Sequence, residues 1–85
     1  MQAVMNRTTL TTVKTPHARA RILEARISPV ISWGGADESL CGKCAAVLVR
    51  APLDAVREKF RNEAQLLIKC PQCGTYNAVP SQPGR

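Results

Sequence analysis

Residues 67–77 read "LIKCPQCGTYN" and residues 41–44 read "CGKC", and together these stretches hold all four cysteines of the chain. Two residues between paired cysteines let one tight turn aim both sulfurs at a single point, while backbone N–H groups point at them. Gly74 follows Cys73 directly, and its freedom to take positive φ lets the chain leave that turn. Ala45 holds the matching place after Cys44, a less permissive exit. Pro71 fixes φ inside the second turn. Twenty-five residues separate Cys44 from Cys70, enough for two strands and a connection that returns the second pair beside the first.

CxxC repeated at this kind of interval is zinc spacing. Residues 1–30 show no apolar run of the signal-peptide kind and no segment of membrane-spanning length. The expected location is therefore the cytoplasm, where thiols stay reduced and paired CxxC units hold metal. Two local disulfides, or free buried thiols, are the alternative. A thioredoxin-like role would need one CxxC to open a helix in a βαβ pattern, and neither does. An iron site of the rubredoxin kind also accepts "CPQCG", but rubredoxins carry an aromatic core, and this chain has only Trp33, Phe60 and Tyr76. The expectation is one structural Zn2+ on Cys41, Cys44, Cys70 and Cys73.

With 85 residues the chain is one domain at most, and chains of this size need a staple such as a metal. The formal charge is +6. Four thiolates around one divalent cation carry −2, which lowers the total to about +4. Such a balance points mildly toward nucleic acid or another anionic surface.

Residues 1–27 hold Arg7, Lys14, Arg19, Arg21 and Arg26 against Glu24 alone. The threonine-rich start lacks apolar periodicity and reads as a mobile tail. "ARARILEARI" (18–27) reads as a short helix stopped by Pro29, or else "RISPVISW" is extended along the metal domain. Gly34-Gly35 and Asp37-Glu38-Ser39 read as a polar hinge. "AAVLVR", "AQLLIK" and "TYNAV" read as strands. Leu53, Val56 and Phe60 recur at helical spacing after Pro52, with Asn62 placed to end that turn in a left-handed conformation. The fold expected is a small zinc-stabilised ribbon: two CxxC knuckles, a short three-stranded antiparallel sheet and a short helix in the connection. Its parts are a basic, partly disordered extension (1–40), the ribbon (41–80) and a disordered tail (81–85).

"CGKCAAVLVRA" and "LLIKCPQCGTYN" resemble the Com family of small Mu-type phage and prophage zinc proteins, over about residues 41–77. That family pairs a CxxC followed by a leucine-rich strand with an "I-x-I-K/R-C-P-x-C" return. The resemblance implies a zinc ribbon that binds mRNA as a translational activator, with Cys41, Cys44, Cys70 and Cys73 as ligands.

The candidate nucleic-acid contacts are Lys43, Lys69, Tyr76, Arg19, Arg21 and Arg26. Lys43 and Lys69 flank ligand cysteines and serve either a phosphate or the negative metal site. Tyr76 either stacks on an unpaired base or covers a ring-poor core. Trp33 reads as packing, and Arg57, Lys59 and Arg61, interspersed with Glu58 and Glu63, as a solvated face. His17 is far from the cysteines, and four sulfurs already complete a tetrahedron. No nucleophile–base set, carboxylate pair or phosphate-cradling loop is present, so no enzymatic activity is expected. The expected partner is RNA or single-stranded DNA, or alternatively another protein, with no membrane and no small-molecule substrate.

Overall fold

The computed structural model describes residues 6–80. Along them run β1 (Arg7–Thr9), β2 (Thr11–Val13), β3 (Ala20–Leu23), β4 (Ile31–Ser32), β5 (Glu38–Leu40), β6 (Val47–Arg50), α1 (Leu53–Lys59), β7 (Gln65–Lys69) and β8 (Tyr76–Ala78). Each cysteine pair sits at the turn of an antiparallel hairpin, β5–β6 for the first and β7–β8 for the second. The stretches expected as strands, "AAVLVR", "AQLLIK" and "TYNAV", hold β6, β7 and β8. The helix follows Pro52, whose carbonyl accepts from the N–H groups of Ala55 and Val56. Asp54 in its first turn and Arg57 and Lys59 in its last suit the helix dipole.

The expected three-stranded sheet is instead two four-stranded sheets, β1-β5-β6-β4 (sheet A) and β2-β8-β7-β3 (sheet B). The added strands come from the stretch expected to be a partly disordered extension. β1 and β4 flank the first hairpin in parallel, β3 flanks the second in parallel, and β2 flanks it antiparallel. A hairpin leaves both outer edges with unpaired N–H and C=O groups. Residues 7–32 satisfy them, largely through backbone, with threonines suited to strands. Residues 20–23 are thus strand rather than helix. Glu38–Leu40 is likewise a strand rather than part of a hinge, whereas Gly34 and Gly35 do take positive φ, 96° and 101°. The expected disorder of residues 1–5 and 81–85 lies outside the described residues.

Residues 7–13 form a strap. Its first half pairs with β5 in sheet A and its second with β8 in sheet B. Between them Leu10 is buried, and its N–H donates to the Leu40 carbonyl. Glu38, nearly buried, is held between Arg7 on β1 (3.2 Å) and Arg50 on β6 (3.3 Å). The core joins both sheets and the helix: Leu10, Ile31, Leu48, Val49, Val56, Leu66, Ile68 and Val79 pack with Cys41 and Cys70. The result is a small, sheet-rich domain with little helix. Among the described residues no helix is long and apolar enough to cross a membrane.

Candidate metal centre

The two knuckles close with matching backbone bonds. Cys41 N–H donates to the Ala46 carbonyl (2.8 Å) and Ala45 N–H to the Cys41 carbonyl (3.0 Å). Cys70 N–H donates to Thr75 (2.9 Å) and Gly74 N–H to Cys70 (2.9 Å). Within each turn the second residue after the leading cysteine aims its N–H at that sulfur, Lys43 at Cys41 and Gln72 at Cys70, both at 3.4 Å. Both exits are left-handed, at φ 76° for Gly74 and 65° for Ala45. The less permissive residue takes the same conformation, because the closing bonds require it. Asn62 does not share it, since among the described non-glycine residues positive φ is confined to Ala45. The helix ends instead at Phe60 with φ −113°.

The four sulfurs lie within 4.8 Å of one another. Cys41 and Cys73 approach to 3.6 Å and Cys44 and Cys70 to 3.5 Å. A disulfide needs about 2.05 Å, and all four thiols are free. A tetrahedron with metal–sulfur bonds of about 2.3 Å has edges of about 3.8 Å, so the cluster fits one tetrahedral ion. Cys41 and Cys70 are each 1% exposed. Cys73 is half-buried and Cys44 exposed, so the site opens toward solvent on one side.

The thiols of Cys41, Cys44 and Cys73 do not ionise alike. Burial pushes Cys41 up, but the N–H groups of Cys44 and Lys43 and the Asn77 amide outweigh it and hold the thiol below its ordinary value. The Thr75 hydroxyl and N–H bring Cys73 down to about 6. The Ala46 N–H favours the Cys44 thiolate, yet desolvation and the sulfurs of Cys70, Cys73 and Cys41 raise it to about 12. One sulfur takes its charge readily and another resists, as expected of like charges crowded together. A divalent cation at the centre removes that conflict.

Asn77 ties the knuckles together and was not singled out from the sequence. It is fully buried; its Oδ1 accepts from Gly42 N–H at 2.8 Å, and its Nδ2 reaches the Thr75 carbonyl at 3.1 Å and Cys41 Sγ at 3.5 Å. An asparagine within an otherwise strand-forming run was the available signal. Gly42 was missed as well. A Cβ there would collide with the Leu10 carbonyl and come within 2.9 Å of Thr12 Cγ2. The strap crosses the first knuckle at that point.

The candidate contact residues are brought together in part. Lys69 and Tyr76 are cross-strand partners, and Lys69 lines a cleft of about 450 Å³ with Arg26 and Glu24. Lys43 is exposed in the other knuckle. Arg19 precedes the edge strand β3, and Arg21 within it registers with Leu66, on the other face from Lys69. Among the described residues Arg7, Arg50, Arg57 and Arg61 are ion-paired, whereas none of the candidate cations has a carboxylate in range.

No protein-family model, curated protein or solved structure matches the chain. The site rests on its geometry: a four-cysteine cluster able to hold one metal ion, at the junction of two hairpins in a sheet-rich domain.

Proposed function

We propose that the chain is a structural zinc-binding module whose partner is single-stranded nucleic acid, as in a regulator of the Com type. The convergence of four cysteine sulfurs within 4.8 Å from two hairpins carries this reading. Four protein thiolates satisfy a tetrahedral zinc ion and leave no position for substrate, the arrangement of a structural site. The protein then acts by binding and not by catalysis. Unpaired Arg19, Arg21, Arg26, Lys43 and Lys69 support an anionic partner, and the likeness to Com over residues 41–77 accords with it.

The test is titration of zinc-loaded protein into a labelled 12-nucleotide RNA. Each phosphate neutralised on a single strand contributes about 0.7 to the slope of log affinity against log salt. About four contacts predict a roughly 50-fold loss between 50 and 200 mM salt. Charge is removed by point substitution, because deleting residues 7–23 would remove three paired strands. An absence of binding at 50 mM salt sinks the nucleic-acid reading. A protein-interaction module is the second reading, favoured by Ile27 and Trp33, which stand 75% and 49% exposed.

A further inference from the structure

We infer that the metal-proximal end of sheet B holds one unstacked nucleotide of a single strand, its base on the Tyr76 ring and its phosphates on Lys69 and Arg26. This rests on the nucleic-acid reading above. Lys69 and Tyr76 are paired in register across β7 and β8, and such partners share a face with Cβ atoms about 4.5–5.5 Å apart. The two side chains therefore leave the sheet side by side. Side chains alternate across a strand. Leu66 and Ile68 join the core cluster, which places Lys69 and Tyr76 in the opposite row, at its metal-proximal end beyond the fully buried Leu67. Tyr76 is half-buried and is not part of the core cluster.

Lys69, though not Tyr76, also lines the cleft of about 450 Å³, with Arg26, Pro71 and Gly74. Glu24 shares its rim, leaving two cations to one carboxylate. Neither Arg26 nor Lys69 is ion-paired among the described residues. The volume lies in the range of small-ligand sites, which suits one nucleotide. A duplex keeps its bases stacked inside and cannot offer one to a ring on a sheet face, so the site selects single strands. The knuckle holds the surface in place: Lys69 precedes Cys70, and Tyr76 follows Thr75, whose carbonyl accepts the Cys70 N–H.

The experiment measures anisotropy of a 5′-labelled 12-mer oligouridylate with zinc-loaded protein at 50 mM salt. Tyr76→Leu keeps apolar bulk but removes the π-face, and should weaken binding about ten-fold, within the range of about 5- to 150-fold expected for one stacked base. Tyr76→Phe should stay within about two-fold. Lys69→Gln and Arg26→Gln should each lower the salt slope by about 0.7. The ring resonances of Tyr76, the one tyrosine of the chain, should move upfield on saturation. If Tyr76→Leu retains full zinc content and binds as tightly as the native protein, the nucleotide site is overturned and the broader reading survives. A duplex that binds as well as the single strand also overturns it. No binding by the native protein removes both.

Discussion

Cys41–Ala46 and Cys70–Thr75 fold into the same turn, yet their surroundings differ. The first knuckle is crossed by the strap, which packs the Leu10 carbonyl and Thr12 against Gly42. The second borders an open cleft at Pro71 and Gly74. The first leaves its turn through an alanine and the second through a glycine, both left-handed. Local hydrogen bonding thus dictates the shape of a metal knuckle. What packs over it decides which residues the turn tolerates. One knuckle is covered by the strap and the other is left open beside the cleft.

The largest effect expected tests whether the knuckles depend on each other. Zinc binding in comparable peptides is worth about 10–16 kcal/mol, as much as the whole stability of a small domain. A strong chelator should therefore melt both hairpins and release the strap, seen as collapse of the dispersed NMR spectrum, Leu10 included. Cys41→Ser and Cys70→Ser, at buried positions, should be equally damaging. Survival of either hairpin without metal would show the knuckles to be independent.

The second effect separates the trailing cysteines. Zinc binds thiolates, so protons compete with it. Cys44, raised to about 12, is protonated throughout the range from pH 7.5 to 5.5 and must lose its proton on binding. That requirement alone weakens affinity about tenfold for each pH unit lowered. Cys73, at about 6, is mostly ionised at pH 7.5 and takes up a proton as pH falls through 6, so the dependence should steepen there. Cobalt titrations followed by thiolate absorption at several pH values read both slopes. A loss of less than tenfold between pH 7.5 and 6.5 is incompatible with this account.

The third concerns the strap. Gly42→Ala forces a Cβ into backbone and should cost about 1–3 kcal/mol, or a fall in Tm of several degrees. Pro71→Ala, at the equivalent place in the open knuckle, should change Tm little. Asn77→Ala removes a fully buried amide that bonds Gly42 N–H and the Thr75 carbonyl, and should cost a comparable amount, about 1–3 kcal/mol. Thermal melts of the zinc-loaded proteins decide it, and equal losses for Gly42→Ala and Pro71→Ala would erase the distinction between the knuckles.

The smallest effect is at the exits. A left-handed alanine costs about 1–2 kcal/mol, partly offset because glycine loses more entropy on folding. Ala45→Gly should stabilise by about 0.5 kcal/mol and Gly74→Ala destabilise by about 1. Nothing lies within 4 Å of a Cβ added at Gly74, so backbone strain is all that substitution adds. Opposite signs in denaturant titrations are the expected outcome, and matching signs would refute it.

The four clustered cysteines were legible in the chain because sulfur count and turn length are local properties, as was the helix on Leu53, Val56 and Phe60. The strands at 47–50 and 65–69 announced themselves through aliphatic and β-branched runs, and the third through "TYNAV". Residues 7–40 were misread for a physical reason. Arg-Thr-Thr and Thr-Thr-Val enter their sheets largely through N–H and C=O groups that nearly every residue carries, so no side-chain pattern marks the pairing. Which edges they complete depends on hairpins formed more than twenty-five residues later. Gly42 looks like any residue between two cysteines until Leu10 is laid across it. Asn77 looks like any polar residue of a strand until the folded sheet buries its amide against the other knuckle. Ligands and strand-forming runs are properties of the chain. The strap, the join between knuckles and the open cleft exist only where distant backbone meets in the folded molecule.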